Sequence, residues 1–400
     1  MTNETISVIP DNYLGREQSY VKHIFLENYI ERVAYNILSF KRDFVFVDGF
    51  SGPWQSNDET LEDTSFGRAT SKLRKIRLGY LKRQKFKKLR CLFIEEKKSR
   101  FTTLEAAVVS IKNIEAKALR GTFEDKVDDI VSYVGKSFSL IFIDPTGWTG
   151  FGLNKIKPIL GLKGEVIINF MFEYISRFME DPRPETAKTF DPLFGDNTWY
   201  AEFVTNQNSG LSREDAVLQV YLRRLKKAGG FAHITSTRIK HPTKDRTYFY
   251  LVYATRHPKG IFEFRSVEKK AADIQERVRD AAKQAKSIEK RVEKSGMDDL
   301  LGITHQAGNT LDFSSEKTRR LLQAKLNLHT LLSSKSAISI EELQGTILET
   351  PLVWPSDLND WLFTLRQSGI ISIPGMSERA KTPDRKALLH VHTAFSLNDF

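Results

Sequence analysis

The chain has almost no cysteine: Cys91 is the only one in 400 residues. A single thiol excludes an intrachain disulfide and any cysteine-based zinc site. It lies in the apolar run 91–94 and reads as a buried structural thiol, which fits a reducing cytoplasm. No apolar run is long enough to span a bilayer. The first residues, MTNETISVIPDNYL, lack the basic region and apolar core of a signal peptide. The histidines show no ligand spacing, so no metal is expected, and neither an internal repeat nor a low-complexity tract is present. Acid is missing from one long stretch. Residues 72–90 read KLRKIRLGYLKRQKFKKLR, ten basic residues and no carboxylate.

What is present begins with charge. The formal net charge is +11, which makes a polyanionic partner plausible, nucleic acid first. In the 72–90 stretch, leucines, Ile76 and Phe86 interrupt the cations, the pattern of a helix buried on one side with a basic outer face. Lys82, Arg83, Lys85, Lys87 and Lys88 are the candidate phosphate contacts. Such contacts would give affinity without sequence choice. A plain solvated face is the alternative.

Val21, Ile24, Phe25, Tyr29, Val33 and Ile37 fall at helical spacing and predict a lead-in helix over 20–40. Apolar strands are expected at 44–47, 91–94, 140–143 and 166–170, with helices between them at 70–88 and 99–112. This alternation predicts an α/β fold, a Rossmann-like domain over 41–265 with a mostly parallel sheet. Strands at 232–239 and 247–254, joined by HPTKD, predict a hairpin at its end. From 266 to 294 aromatics vanish and Ala, Glu, Lys and Arg dominate, which reads as a charged helical linker over 266–300. Helices at 315–332, 339–349 and 355–368, then strands at 370–373 and 387–392, predict a small α+β winged-helix domain over 301–400. The last of these helices, 355–368, carries Arg366 against Asp357 and Asp360, poor composition for a groove reader, so protein docking stands beside nucleic-acid contact.

Three strand ends carry candidate chemistry. FVFVDGFSGPW is a buried strand that stops at Asp48 and breaks into a glycine loop, which sets a carboxylate and backbone N–H groups at the carboxyl end of a parallel sheet. The stretch resembles the first motif of class I S-adenosylmethionine-dependent methyltransferases, which implies that Asp48 approaches the sulfonium end of that cofactor, while Gly52 lets the backbone pass close to a ligand. The other reading is that Asp48 caps its own turn. CLFIE ends in Glu95, placed to accept from ribose hydroxyls, while Glu96 should point the other way. SLIFI is followed by Asp144-Pro145-Thr146-Gly147-Trp148. Many amino-group methyltransferases carry an acid, prolines and an aromatic at this place; Asp144 and Pro145 would line a reaction centre and Trp148 is the nearest ring. An Asp-Pro after a strand is also an ordinary turn. Gly121–Asp125 reads best as a helix cap.

FVFVDGFSGPW, CLFIEEKK, IFIDPTGWTGFG and YFYLVYATRHPKG, preceded by the helix YVKHIFLENYI, occur in an order that resembles the three-Cys-motif partner (TcmP) family over about residues 20–267. The segment after Leu301 resembles the winged helix-turn-helix attached to such proteins. The resemblance implies a class I S-adenosylmethionine-dependent methyltransferase-like domain and a separate partner protein with a three-cysteine motif. It implies a cofactor site of Asp48, Phe50, Gly52, Pro53 and Glu95, and a motif-four pair Asp144 and Pro145 with Gly147 and Trp148 beside it. Trp54 stands where the methyltransferase loop has its last glycine, and Gly67-Arg68-Ala69 where the family tends to Gly-Ser-Pro. Trp54 favours a rival reading, a non-catalytic adaptor that keeps the fold and recruits an enzyme to nucleic acid.

Overall fold

The computed structural model describes residues 9–52, 61, 63–179, 184–295 and 311–400. These fall into two compact units. One comprises Lys22–Ile239 and Arg246–Arg256; the other gathers the described residues up to Val21 with Lys240–Asp245 and His257–Phe400.

The first unit opens with most of helix α1 (Glu17–Phe40) and alternates β1 (Asp43–Asp48), α2 (Ser65–Lys82), β2 (Lys88–Glu95), α3 (Lys98–Ser110), β3 (Glu115–Arg120), α4 (Val127–Val134), β4 (Ser139–Ile143), α5 (Leu153–Leu160) and β5 (Gly164–Phe170). Helices α6 (Phe172–Phe178), α7 (Pro184–Phe194), α8 (Trp199–Asn208) and α9 (Arg213–Gly229) follow, then β6 (His233–Lys240) and β7 (Thr247–Thr255). The strands form one sheet in the order β3-β2-β1-β4-β5-β7-β6. β1 pairs in parallel with β2 and β4, β2 with β3, and β4 with β5, whereas β7 runs antiparallel to β5. The expected parallel sheet with a terminal strand pair is therefore present.

The central strands are covered on both faces, which is why they read as unbroken apolar runs. Side chains alternate. Val45, Val47, Leu92, Ile94, Ile141 and Ile143 join the core that contains α4, α5 and α9. Phe46 and Phe93 point the other way, where Phe66 of α2 meets Phe93 edge-on at 5.6 Å. On β5, Glu165 is buried and accepts from the Tyr29 hydroxyl of α1 at 2.7 Å; that hydroxyl also lies 2.7 Å from Tyr253 Oη on β7. Burial and the neighbouring carboxylate push both phenols well above their ordinary range.

Helix α2 starts and stops earlier than the expected 70–88. Thr64 caps its first turn by accepting from Gly67 N at 3.1 Å. At its end Gln84 takes a left-handed φ of 55°, and by Lys88 the chain has entered β2. Unbroken basic composition hid that turn.

In the second unit, α10 (Pro258–Ser295) covers the stretch expected to be a charged linker. It is not solvated all round: Val267, Ala271, Ala272, Val278 and Ala282 are buried with Gln275 and Arg279. Arg265 is fully buried, donating to Glu268 Oε1 at 2.6 Å and to the carbonyls of Leu348 and Glu349. A stripe of alanines and paired charges gives little hydropathy signal, so composition alone misses it. Then come α11 (Leu311–Ser333), β8 (Ala337–Ser339), α12 (Ile340–Ile347), α13 (Pro355–Gln367), β9 (Ile371–Ser372) and β10 (Leu388–Val391). β10 lies between β8 and β9, antiparallel to both. Ser339 caps α12, its Oγ accepting from Glu342 N. Pro355 opens α13.

Among the described residues, no helix is long and apolar enough to cross a membrane.

Candidate functional site

Strand order reverses between β1 and β4, and the carboxyl ends of parallel strands at such a switch point bind ligands in open α/β sheets. A cavity of about 380 Å³ opens there. Its lining comes from the ends of β1 (Gly49, Phe50), β2 (Ile94, Glu95, Glu96, Lys97), β3 (Gly121, Thr122, Phe123) and β4 (Pro145, Thr146, Gly147, Thr149, Gly150).

Asp48 lies just behind this lining, fully buried. Its Oδ1 accepts from Phe50 N at 3.1 Å and its Oδ2 from Ser65 Oγ at 2.7 Å. Ser51 Oγ donates to the Asp48 carbonyl at 2.8 Å. The carboxylate thus shapes its own turn, and Ser65 ties that turn to the first turn of α2. Burial is the largest influence on its acidity; against the pull of these donors, and with Asp144 adding repulsion, it raises Asp48 to about 6.

Glu95 is buried and accepts from Lys97 N at 2.7 Å, while Glu96 is exposed. Both reach the cavity. Gly52 passes so close that a methyl group added there would overlap Glu95 Oε2. An alanine there would require the Glu95 carboxylate to swing aside. Gly49 is equally confined, since an added Cβ would come within 2.7 Å of the Phe123 ring. Phe50 packs on Phe123 with ring centres 5.7 Å apart, forming an aromatic wall. Pro53 and Trp54 lie outside the described residues.

Asp144 follows β4, and both its oxygens are engaged. Oδ2 pairs with Lys22 Nζ at 2.5 Å, and Oδ1 accepts from Asn169 Nδ2 at 2.6 Å. Pro145 and Gly147 line the cavity, and Trp148 does not. The indole stacks on Phe190 at 5.0 Å and tilts against Phe178, with Nε1 donating to Thr189 Oγ1 at 3.1 Å. Its ring is spent on packing α6 and α7 beside β4. In the 121–125 segment, Thr122 Oγ1 accepts from Asp125 N at 3.1 Å and closes a local turn; it is not the helix cap expected there, since α4 begins only at Val127 and Lys126 before it makes no side-chain cap.

Nothing in the sequence pattern singles out Lys22 or Ser65, and little singles out Asn169. Lys22 sits on a helix 122 residues from Asp144, and Ser65 opens the helix that follows the Asp48 loop, 17 residues on. Asn169 was hidden inside an apolar strand. A polar residue in such a run was the one available signal.

The basic stretch lies at the other edge of the sheet. Lys82 at the end of α2 and Arg83 and Lys85 after it are exposed, and Lys88 is exposed at the start of β2. Lys88 pairs with Glu115 at 2.9 Å, and Lys87 donates to the Lys41 carbonyl at 2.8 Å. Lys72 is held by Glu31 of α1 at 2.8 Å. The amino edge is about 20 Å from the cavity, six residues of β1 at about 3.3 Å each.

The order β3-β2-β1-β4-β5-β7-β6 with β7 reversed is a Rossmann-like fold of the methyltransferase type. No family model and no curated protein matches the chain. Among solved structures, the chain is similar to a Legionella pneumophila protein described by the family DUF519, at 13% identity and a TM-score of 0.36, over 64% of this chain and 90% of that one. It is also similar to a loganic acid methyltransferase solved with SAH, at 9% identity and a TM-score of 0.29, over 72% and 92% of the two chains.

Proposed function

We propose that the chain is an S-adenosylmethionine-dependent methyltransferase-like protein of the TcmP type. The observation that carries this is the set of acids at the ends of three neighbouring strands, Asp48, Glu95 and Asp144, on and just behind one cavity. An acidic, half-enclosed cleft suits a cationic sulfonium ligand. In this reading Glu95 accepts from the ribose hydroxyls, the Phe50–Phe123 wall borders the adenine, and the Asp48–Gly52 turn borders the methionine end. The cofactor supplies an electrophilic methyl group. The chain's task is alignment: Pro145 and Gly147 bound the approach of a nucleophile, and Asp144 accepts its proton or holds its amine. Nucleic acid is the acceptor class that the net charge of +11 favours. The resemblance adds a three-Cys-motif protein as partner.

A second reading is a non-catalytic adaptor with the same fold. It is favoured by Asp144, whose two oxygens already accept from Lys22 and Asn169 and which does not itself line the cavity. The helix–strand–helix–helix–strand–strand order of 311–391 supports a winged helix. In α13 Arg366 is turned inward, donating to the carbonyls of Glu378 and Ala380 at 2.8 and 2.6 Å, and Asp360 pairs with Lys381. A helix with its lone cation spent internally suits protein docking better than a DNA groove.

Calorimetric titration with S-adenosylmethionine tests the first reading. Wild type and Glu96→Gln should bind alike, and Glu95→Gln should bind at least tenfold more weakly, the cost of one charged hydrogen bond at about 1.5–3 kcal/mol. Absence of binding by the wild-type protein would leave the adaptor reading.

A further inference from the structure

We propose that the amino edge of the sheet is a binding site for single-stranded nucleic acid, separate from the cofactor cleft. Two short segments meet there. Phe40-Lys41-Arg42 ends α1 and leads into β1; Lys85-Phe86-Lys87-Lys88 leads into β2. Lys88 N donates to the Arg42 carbonyl at 2.7 Å and Lys87 Nζ to the Lys41 carbonyl at 2.8 Å, so the segments lie side by side. Each presents a phenylalanine to solvent, Phe40 65% exposed and Phe86 81% exposed. Around them stand exposed Lys41, Arg42, Lys82, Arg83 and Lys85. The nearby acids are engaged: Glu115 by Lys88, and Asp43 by Ser137 Oγ and, at 3.9 Å, Arg90.

Exposed rings set among cations fit one ligand chemistry well. Bases stack on aromatic faces while phosphates follow the positive charge, and the rings are reachable only when bases are not paired inside a duplex. A purely electrostatic surface has no use for two exposed phenylalanines, and an apolar protein-docking face would not be ringed by cations. The location adds a functional consequence. A strand held here is about 20 Å from the cavity, so the site anchors nucleic acid and does not present a base to the cofactor. This extends the nucleic-acid part of the reading above and is independent of whether the cofactor binds.

The test is fluorescence anisotropy with a labelled 20-nucleotide oligo(dT), the same length of duplex, and poly-glutamate as competitor, against salt. The proteins are wild type, Phe40→Ala/Phe86→Ala, and Lys41→Gln/Arg42→Gln/Arg83→Gln/Lys85→Gln. Both rings are more than half exposed, so their loss leaves the fold intact, which far-UV circular dichroism verifies. Wild type should bind the single strand in preference to the duplex. The ring variant should lose about tenfold or more for the single strand and little for the duplex. The charge variant should show a shallower log–log salt slope. Equal single-strand affinity in ring variant and wild type overturns the proposal. So does an oligonucleotide that fails to bind, or one displaced equally by poly-glutamate from wild type and ring variant, which would mark a surface for acidic protein. S-adenosylmethionine titration of the ring variant should match wild type. Loss of cofactor binding in both with oligonucleotide binding intact would sink the methyltransferase reading and leave this site standing.

Discussion

Lys22 of α1 holds Asp144 at the end of β4, Nζ to Oδ2 at 2.5 Å, across 122 residues of chain. Both side chains are mostly buried, 11% and 14% exposed. The pair fastens the lead-in helix to the edge of the sheet where the cavity opens. It also offsets one of the two carboxylates that repel each other there, Asp48 and Asp144. A partly buried charge left without its partner is costly.

Lys22→Met should therefore destabilise the protein by about 1–3 kcal/mol in urea unfolding. Asp144→Asn should cost something too. The double variant should cost less than the sum of the single ones, because the second change removes a charge that the first has already stranded. Additive losses would mean that the two groups do not stabilise each other.

Asp48 sets a pH dependence opposite in sign to that of most acids. Its acidity in the fold is about 6 against 3.8 when free, with burial the main cause. The folded state then holds a proton that the unfolded state gives up between about pH 4 and 6. Its contribution is fully present below pH 3.8 and is lost as pH rises through 6. At neutral pH the ionised, buried group costs up to about 3 kcal/mol. Asp48→Asn should unfold at a higher temperature than wild type above pH 6, and the gap should close as pH falls toward 4. A gap independent of pH would show that Asp48 titrates normally.

The parallel sheet was legible because its central strands are buried on both faces and consist of Val, Ile, Leu and Phe. Asp48, Glu95 and Asp144 were legible because each ends such a run. The partners of those acids were not. Lys22 and Ser65 are ordinary helix residues until the fold brings them to a strand end. Trp148 looked available because it follows an Asp-Pro turn; only the three-dimensional neighbours Phe178 and Phe190 reveal its packing role. The buried face of α10 was equally hidden, since it is built from alanine and paired charges.

Cys91 offers a probe of the sheet. It is fully buried on β2, and burial alone pushes its thiol far above the ordinary range. The thiolate is the reactive form, so both access and chemistry protect it. Ellman's reagent at pH 8 should modify it only as fast as the protein opens, and immediately in denaturant. Rapid labelling of the native protein would mean that the sheet opens near β2.

Gly52 and Glu95 make the sharpest test of the cleft, because a side chain at position 52 and the Glu95 carboxylate in its present place compete for the same space. A methyl group at position 52 would occupy the space of Glu95 Oε2, with Arg100 Cδ only 3.3 Å away on another side. Gly52→Ala should push the Glu95 carboxylate from its place, loosening its bond from Lys97 N, and lower stability by about 1–3 kcal/mol. Adding Glu95→Ala makes room and should recover most of that loss. It cannot restore the carboxylate proposed above to accept from the ribose. The double variant should therefore fold nearly as well as wild type and still bind S-adenosylmethionine no better than Glu95→Ala alone, with unfolding and calorimetry run on the same preparations. Recovery of cofactor binding together with stability would show that Glu95 matters to the cleft only as a packing neighbour. Failure to recover stability would show that the strain of an alanine lies in the loop backbone and not in the carboxylate.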